Sequence, residues 1–105
     1  MSLLLTKQQD FFDALCRWGV AVKLLGYRCT FGDAYRDPRA TFPYSFAASF
    51  HSERKAVDVN LFKDGRYLQT TEEWRQAGEL WESLGGTWGG RWANGDSNHL
   101  SWGEV

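Results

Sequence analysis

Only two histidines occur in this chain, His51 and His99, and each has an aspartate close by. His51 begins the stretch HSERKAVD, which ends at Asp58, and Asp96 and His99 bracket the stretch DSNH. Two imidazoles and one carboxylate are a common ligand set for a zinc ion that keeps its fourth position open for water. Such an ion suits amide hydrolysis, because it acidifies the water and polarises a bound carbonyl. That chemistry also needs a general base, and Asp96 is near enough to His99 in sequence to take the proton without binding the ion itself. On spacing alone the same residues also fit a hydrogen-bonded polar cluster, since an H-x6-D spacing is common by chance.

The chain must bring these side chains together, and its hydrophobic pattern suggests how. KAVDVNLFKDGRYLQ, residues 55–69, reads as a hairpin with an Asp64-Gly65 turn. Alternation along its first strand sends Val57, Val59 and Leu61 to one face and Ala56, Asp58 and Asn60 to the other. If the valines take the core, Asp58 lines a cleft. In a last strand over 98–102, Leu100 and Trp102 take the core side and His99 and Ser101 the cleft side, so His99 and Asp58 can share a face.

Two helices are expected around this sheet. The first spans about Lys7 to Leu24, opened by a T-x-x-Q capping box at Thr6 and closed by Gly26, with Phe11, Leu15, Trp18, Val22 and Leu25 at helical spacing. The second follows the capping box Thr70-Thr-Glu-Glu73 and carries Trp74, Ala77, Trp81 and Leu84 on one face, with Gly85 as its stop. A short strand is expected within 27–35. A loop over 36–50 holds both prolines, Pro38 and Pro43, and loops of that length are usually functional. Residues 85–97 surround Trp88 and Trp92 with glycines. The fold class is α+β, two main helices on one antiparallel sheet of about four strands.

Composition limits the function classes. At 105 residues the chain fits a single domain, 1–105, with one active site at most. A net charge of -1 provides no overall positive field to draw it to nucleic acid or anionic lipid. No stretch is suited to stable membrane insertion, and MSLLLTKQQD lacks the apolar core and basic flank of a signal peptide. A protein made in the cytoplasm is expected, reaching any target beyond the membrane after another protein has permeabilised it. Cys16 and Cys29 show no metal spacing and are expected as reduced core thiols.

SFHSERKAVD, residues 49–58, with DSNH downstream at 96–99, resembles the zinc D-alanyl-D-alanine carboxypeptidase and L-alanyl-D-glutamate endopeptidase family of cell-wall peptidases. AVDVNLFKDGRY (56–67) and LWESLGGTWGGRW (80–92) resemble its phage endolysin branch. The resemblance implies a fold like that of these peptidases and the hedgehog signalling domain. It implies Zn2+ held by His51, Asp58 and His99, Asp96 as catalytic acid/base, and Arg36 steadying the carbonyl oxygen as it becomes an oxyanion. The family's general pattern has a glycine where this chain has Arg54.

The function this implies is hydrolysis of the L-alanyl-D-glutamate bond of the peptidoglycan stem peptide, in host lysis by a phage, acting as a monomer in the periplasm. The alternatives are removal of terminal D-alanine by a carboxypeptidase or dipeptidase of the same family, and a non-catalytic wall-binding module that retains zinc. For single residues, Asp96 competes with Glu53 and Glu104 as base, and Arg36 has a salt bridge to Asp33 or Asp37 as its plainer role. Ser49, Arg54, Trp88 and Trp92 are weaker candidates for substrate contact, and for the two tryptophans core packing weighs equally. Trp74 and Trp81 belong to the core.

Overall fold

A computed structural model describes residues 2–32 and 53–103. In chain order these form helix α1 (Leu3–Leu24), strands β1 (Tyr27–Phe31), β2 (Ala56–Lys63) and β3 (Arg66–Leu68), helix α2 (Thr71–Ser83), and strands β4 (Thr87–Trp88) and β5 (His99–Ser101). The class is the expected α+β. The antiparallel sheet has five strands in the order β1-β2-β5-β4, with β3 also paired to β2. The strand beyond expectation is β4, two residues inside the glycine-rich stretch that alternation could not reveal.

β2 is the strand on which the others assemble. Its C-terminal part pairs with β1 and β3, and its N-terminal part pairs with β5. The Asp64-Gly65 turn closes the β2–β3 hairpin, with φ of 52° and 78° at its two residues. Positive φ at both positions is the mark of a type I′ turn, whose twist matches that of the flanking strands.

Both helices end as the sequence suggests, but only one begins so. In α2, Thr70 accepts the Glu73 N–H while the Glu73 carboxylate accepts the Thr70 N–H, a complete capping box. The bonds from the Thr70 and Gln69 N–H groups hold the Glu73 carboxyl below its usual range. At the other end Gly85, with φ of 103°, donates to Glu82 and Gly86 donates to Trp81. That pair of bonds is a Schellman motif, which needs a residue tolerant of left-handed backbone. α1 instead starts at Leu3: Ser2 Oγ caps it by accepting the Leu5 N–H, and Thr6 lies within the helix with its hydroxyl bonded back to Ser2 O. The three leucines extend the helix because they are good helix formers, although all three are partly or largely exposed.

The core is built largely from tryptophan. Trp18, Trp74, Trp81 and Trp88 are almost fully buried, with Phe11, Val22, Val57, Val59, Leu61 and Leu100 around them. A buried indole needs an acceptor for its N–H. Trp18 finds Ala77 O on α2 at 2.8 Å, and Trp81 reaches Thr87 O and Ser101 O, each at 3.1 Å, joining α2 to the sheet. Trp18 and Trp74 stack with centroids 6.1 Å apart. The two cysteines depart from expectation: both are exposed rather than in the core.

Gly78 is the contact point between α2 and this core, for a Cβ there would lie 2.2 Å from the Trp88 ring. Gly78→Ala sets a helix-propensity gain of about 1 kcal/mol against an overpacking cost of about 1–3 kcal/mol. A fully buried indole has little room to retreat, so the cost is expected to win. Thermal unfolding of the variant should show a lower midpoint than wild type, and an unchanged or higher midpoint would contradict this packing.

Candidate metal centre

Asp58 on β2 and His99 on β5 are direct partners in the antiparallel register. Directly opposed residues project to the same face. Because Val57, Val59 and Leu100 fill the core, Asp58 and His99 are left together on the other side. His99 Nδ1 lies 3.6 Å from Asp58 Oδ1 and 3.9 Å from Asp96 Oδ2. Ligand atoms of Asp58, Asp96 and His99 all fall within 4.8 Å of one another.

The backbone around each of these residues is closely held. Gly32, just beyond β1, donates to Asp58 O at 2.7 Å, and Val59 donates to Asn98 O at 2.9 Å. Asp96 arrives on a tight loop that begins at Gly89, whose carbonyl accepts the N–H of both Trp92 and Asp96. Gly95 donates to Trp92 O, and His99 to Asp96 O. A Cβ on Gly89 would stand 2.3 Å from Asp96 O and 2.9 Å from the His99 Cβ, so only glycine lets the loop close this far. The next residue is pinned from two sides: Trp88 Nε1 donates to Ser97 O at 2.6 Å, and Ser97 Oγ donates to Gln69 O at 2.9 Å.

The donor set fits a zinc ion. Imidazole nitrogen and carboxylate oxygen are zinc donors, and donors about 2.1 Å from a tetrahedral ion stand about 3.4 Å from one another. The Nδ1–Oδ1 separation of 3.6 Å between His99 and Asp58 is close to that spacing. The side chains of His99 and Asp58 are 9% and 17% exposed, whereas Asp96 is 44% exposed. Two donors are thus sheltered, and the third, the Asp96 carboxylate, stands at the rim exposed to solvent.

The other candidates from sequence have different outcomes. His51, Arg36 and Ser49 lie outside the described residues. Trp88 sits in the core, 1% exposed, and acts through its indole N–H on the loop that carries Asp96. Trp92 is half-buried with its ring against the His99 imidazole, centroids 4.7 Å apart. Their neighbour Arg91, on the same glycine-rich stretch, is bonded to Glu82 and Glu79 on α2, so its charge is directed to that helix. Sequence reasoning missed Gly32 and Gly89 as parts of the site. The run TWGG hinted at close packing, but not at what would be packed.

A cavity of about 320 Å³ lies on the opposite face of the sheet, between α1 and β1, where Trp18, Val22, Cys29, Phe31 and Val59 contribute to its lining. It is separate from the Asp58–His99 cluster. Cys29 is exposed as a residue, but the side of its thiol that borders this lining is partly desolvated, which pushes it up from its ordinary value. No helix among the described residues is long and apolar enough to cross a membrane.

A family model described as D-alanyl-D-alanine carboxypeptidase matches residues 45–102, more than half of the chain, and the matched span contains Asp58, Asp96 and His99. The chain belongs to this peptidase family. Membership supports a peptidase-type function directed at peptidoglycan, and Asp58, Asp96 and His99 within the matched span could hold a metal ion. No curated protein matches the chain.

Arg54, in the turn before β2, has a φ of 60°. This is the left-handed region, which costs an ordinary L-residue about 1–2 kcal/mol and glycine almost nothing. A glycine, as the family resemblance leads one to expect here, would adopt this φ at little cost, whereas Arg54 holds it at the expense of some strain. Arg54→Gly and Arg54→Ala both remove the side chain and differ in backbone preference alone. Denaturant titration should find the glycine variant more stable than the alanine variant by about 1 kcal/mol, and the reverse order would contradict a left-handed turn.

Proposed function

We propose that the chain is a zinc-dependent endopeptidase that hydrolyses the L-alanyl-D-glutamate bond of the peptidoglycan stem peptide. The observation that carries this reading is the convergence of Asp58, Asp96 and His99 in a member of a peptidase family. His51, Asp58 and His99 would hold the ion, and residues 1–105 would act as one catalytic domain. The likeness of residues 56–67 and 80–92 to the phage endolysin branch supports the choice of bond, together with a role in host lysis.

When bound, zinc acidifies a water molecule and polarises the scissile carbonyl. Asp96 takes one proton from the attacking water and later delivers it to the leaving amine nitrogen, as the new C–O bond forms and the C–N bond breaks. Its exposure at the rim favours this role over that of a ligand, because a proton carrier must meet both water and substrate. Arg36 would face the carbonyl oxygen as it gains negative charge, a task suited to a guanidinium. The peptidase would work as a monomer on the wall, entering the periplasm from the host cytoplasm through a membrane permeabilised by a separate protein.

Removal of terminal D-alanine remains the competing activity, favoured by the description of the matched family model. Mass spectrometry of purified muropeptides incubated with zinc-loaded protein separates the two. Fragments split between L-Ala and D-Glu, absent after chelation, are expected, whereas loss of a terminal D-Ala alone would transfer the assignment. Asp96→Asn should retain zinc while its kcat falls by about 10²-fold or more. If that variant loses the ion instead, Asp96 is a ligand and the base lies elsewhere.

A further inference from the structure

We infer that Trp92 is a positioning residue for the metal centre, holding the His99 imidazole in the orientation that turns Nδ1 towards the two carboxylates. This role rests on the metal-binding reading of the site. It differs from the substrate contact that the sequence suggested for the same residue.

A histidine on a strand has two soft side-chain torsions, and a half-turn about Cβ–Cγ would carry Nδ1 to the other side of the ring. Trp92 stands in the way of that half-turn. Its ring lies 4.7 Å from the imidazole centroid at an interplanar angle of 44°. Midway through the turn the imidazole would have to give up this tilted contact and meet the indole edge-on at the short end of the usual range of about 4.5–7 Å. The observed orientation keeps Nδ1 facing Asp58 Oδ1 and Asp96 Oδ2.

The indole can act as a stop because its own backbone is fixed. Trp92 N–H donates to Gly89 O and Trp92 O accepts from Gly95 N–H, at 3.1 and 3.0 Å. Gly89 O also accepts from Asp96 N–H at 3.0 Å. One carbonyl therefore sets both the ring that packs on His99 and the carboxylate that faces its nitrogen. Loss of the indole would leave the ligand present but free to turn, and free ligands bind metal less tightly because binding must then order them.

The test compares zinc affinity with catalysis. Apo forms of wild type, Trp92→Ala, Trp92→Phe and Trp92→Leu are titrated with zinc in competition with a chromophoric chelator, after circular dichroism has established that each is folded. Trp92→Leu keeps much of the apolar volume and stands in for the alanine variant should that one fail to fold. Steady-state kcat and KM are then measured on muropeptides at saturating zinc. The expected result is a zinc Kd raised about 10–100-fold by Ala or Leu, largely restored by Phe, with KM unchanged. Unaltered zinc affinity with a raised KM would overturn the inference and make Trp92 a substrate contact. Wild type that binds no zinc would overturn the metal reading itself, before any variant is compared.

Discussion

The register between β2 and β5 is the constraint on which this molecule depends. Val57, Val59 and Leu61 go into the core, each side chain contributing about 1.5–3 kcal/mol by burial, and alternation leaves Asp58 on the opposite face. A slip of one residue would place Asp58 and Asn60 in the core and turn three aliphatic side chains to the polar face that holds His99. The packing energy of the core is therefore also what sets Asp58 against His99. The candidate site sits where that register is secured on both flanks, by Gly32 N–H on Asp58 O and by Asn98 O on Val59 N–H.

Tryptophan and glycine together extend this control to the rest of the site. Trp81 bonds α2 to β4 and β5, and Trp88 bonds the core to Ser97, next to the rim carboxylate. Gly78 and Gly90 make room for the Trp88 ring, with a Cβ on either falling 2.2–2.3 Å from it. Large flat side chains seated against bare backbone fix position more firmly than flexible aliphatic ones would. A glycine-rich loop can thus hold the Asp96 carboxylate close to His99 without being loose, because its glycines are contact points for rings and for backbone.

Much of this arrangement was legible in the sequence, and the physical reason differs from part to part. α2 was readable because capping box, apolar stripe and stop glycine agree, and the hairpin because Asp-Gly between alternating strands has few other solutions. That Asp58 and His99 can share a face follows from period-two alternation, whereas their direct pairing depends on the β2–β5 register, which only the fold supplies. The start of α1 was misplaced since Ser2 and Thr6 both offer a cap, and local sequence does not rank a longer helix against a shorter one. β4 was hidden because a two-residue strand has no period. Trp88 is ambiguous from sequence because the glycine that receives its ring, Gly78, lies on helix α2, a contact that only the tertiary fold creates. His51, Arg36 and Ser49 fall outside the described residues, so for them the family pattern remains the basis of the reading.

The most direct test of the central claim is an anomalous-scattering map recorded at the zinc edge from crystals of the zinc-loaded protein. One peak per chain is expected, within bonding distance of both His99 Nδ1 and Asp58. A peak elsewhere on the chain, or protein that takes up zinc without Asp58 and His99 among its ligands, would contradict the claim that the β2–β5 register builds the metal centre.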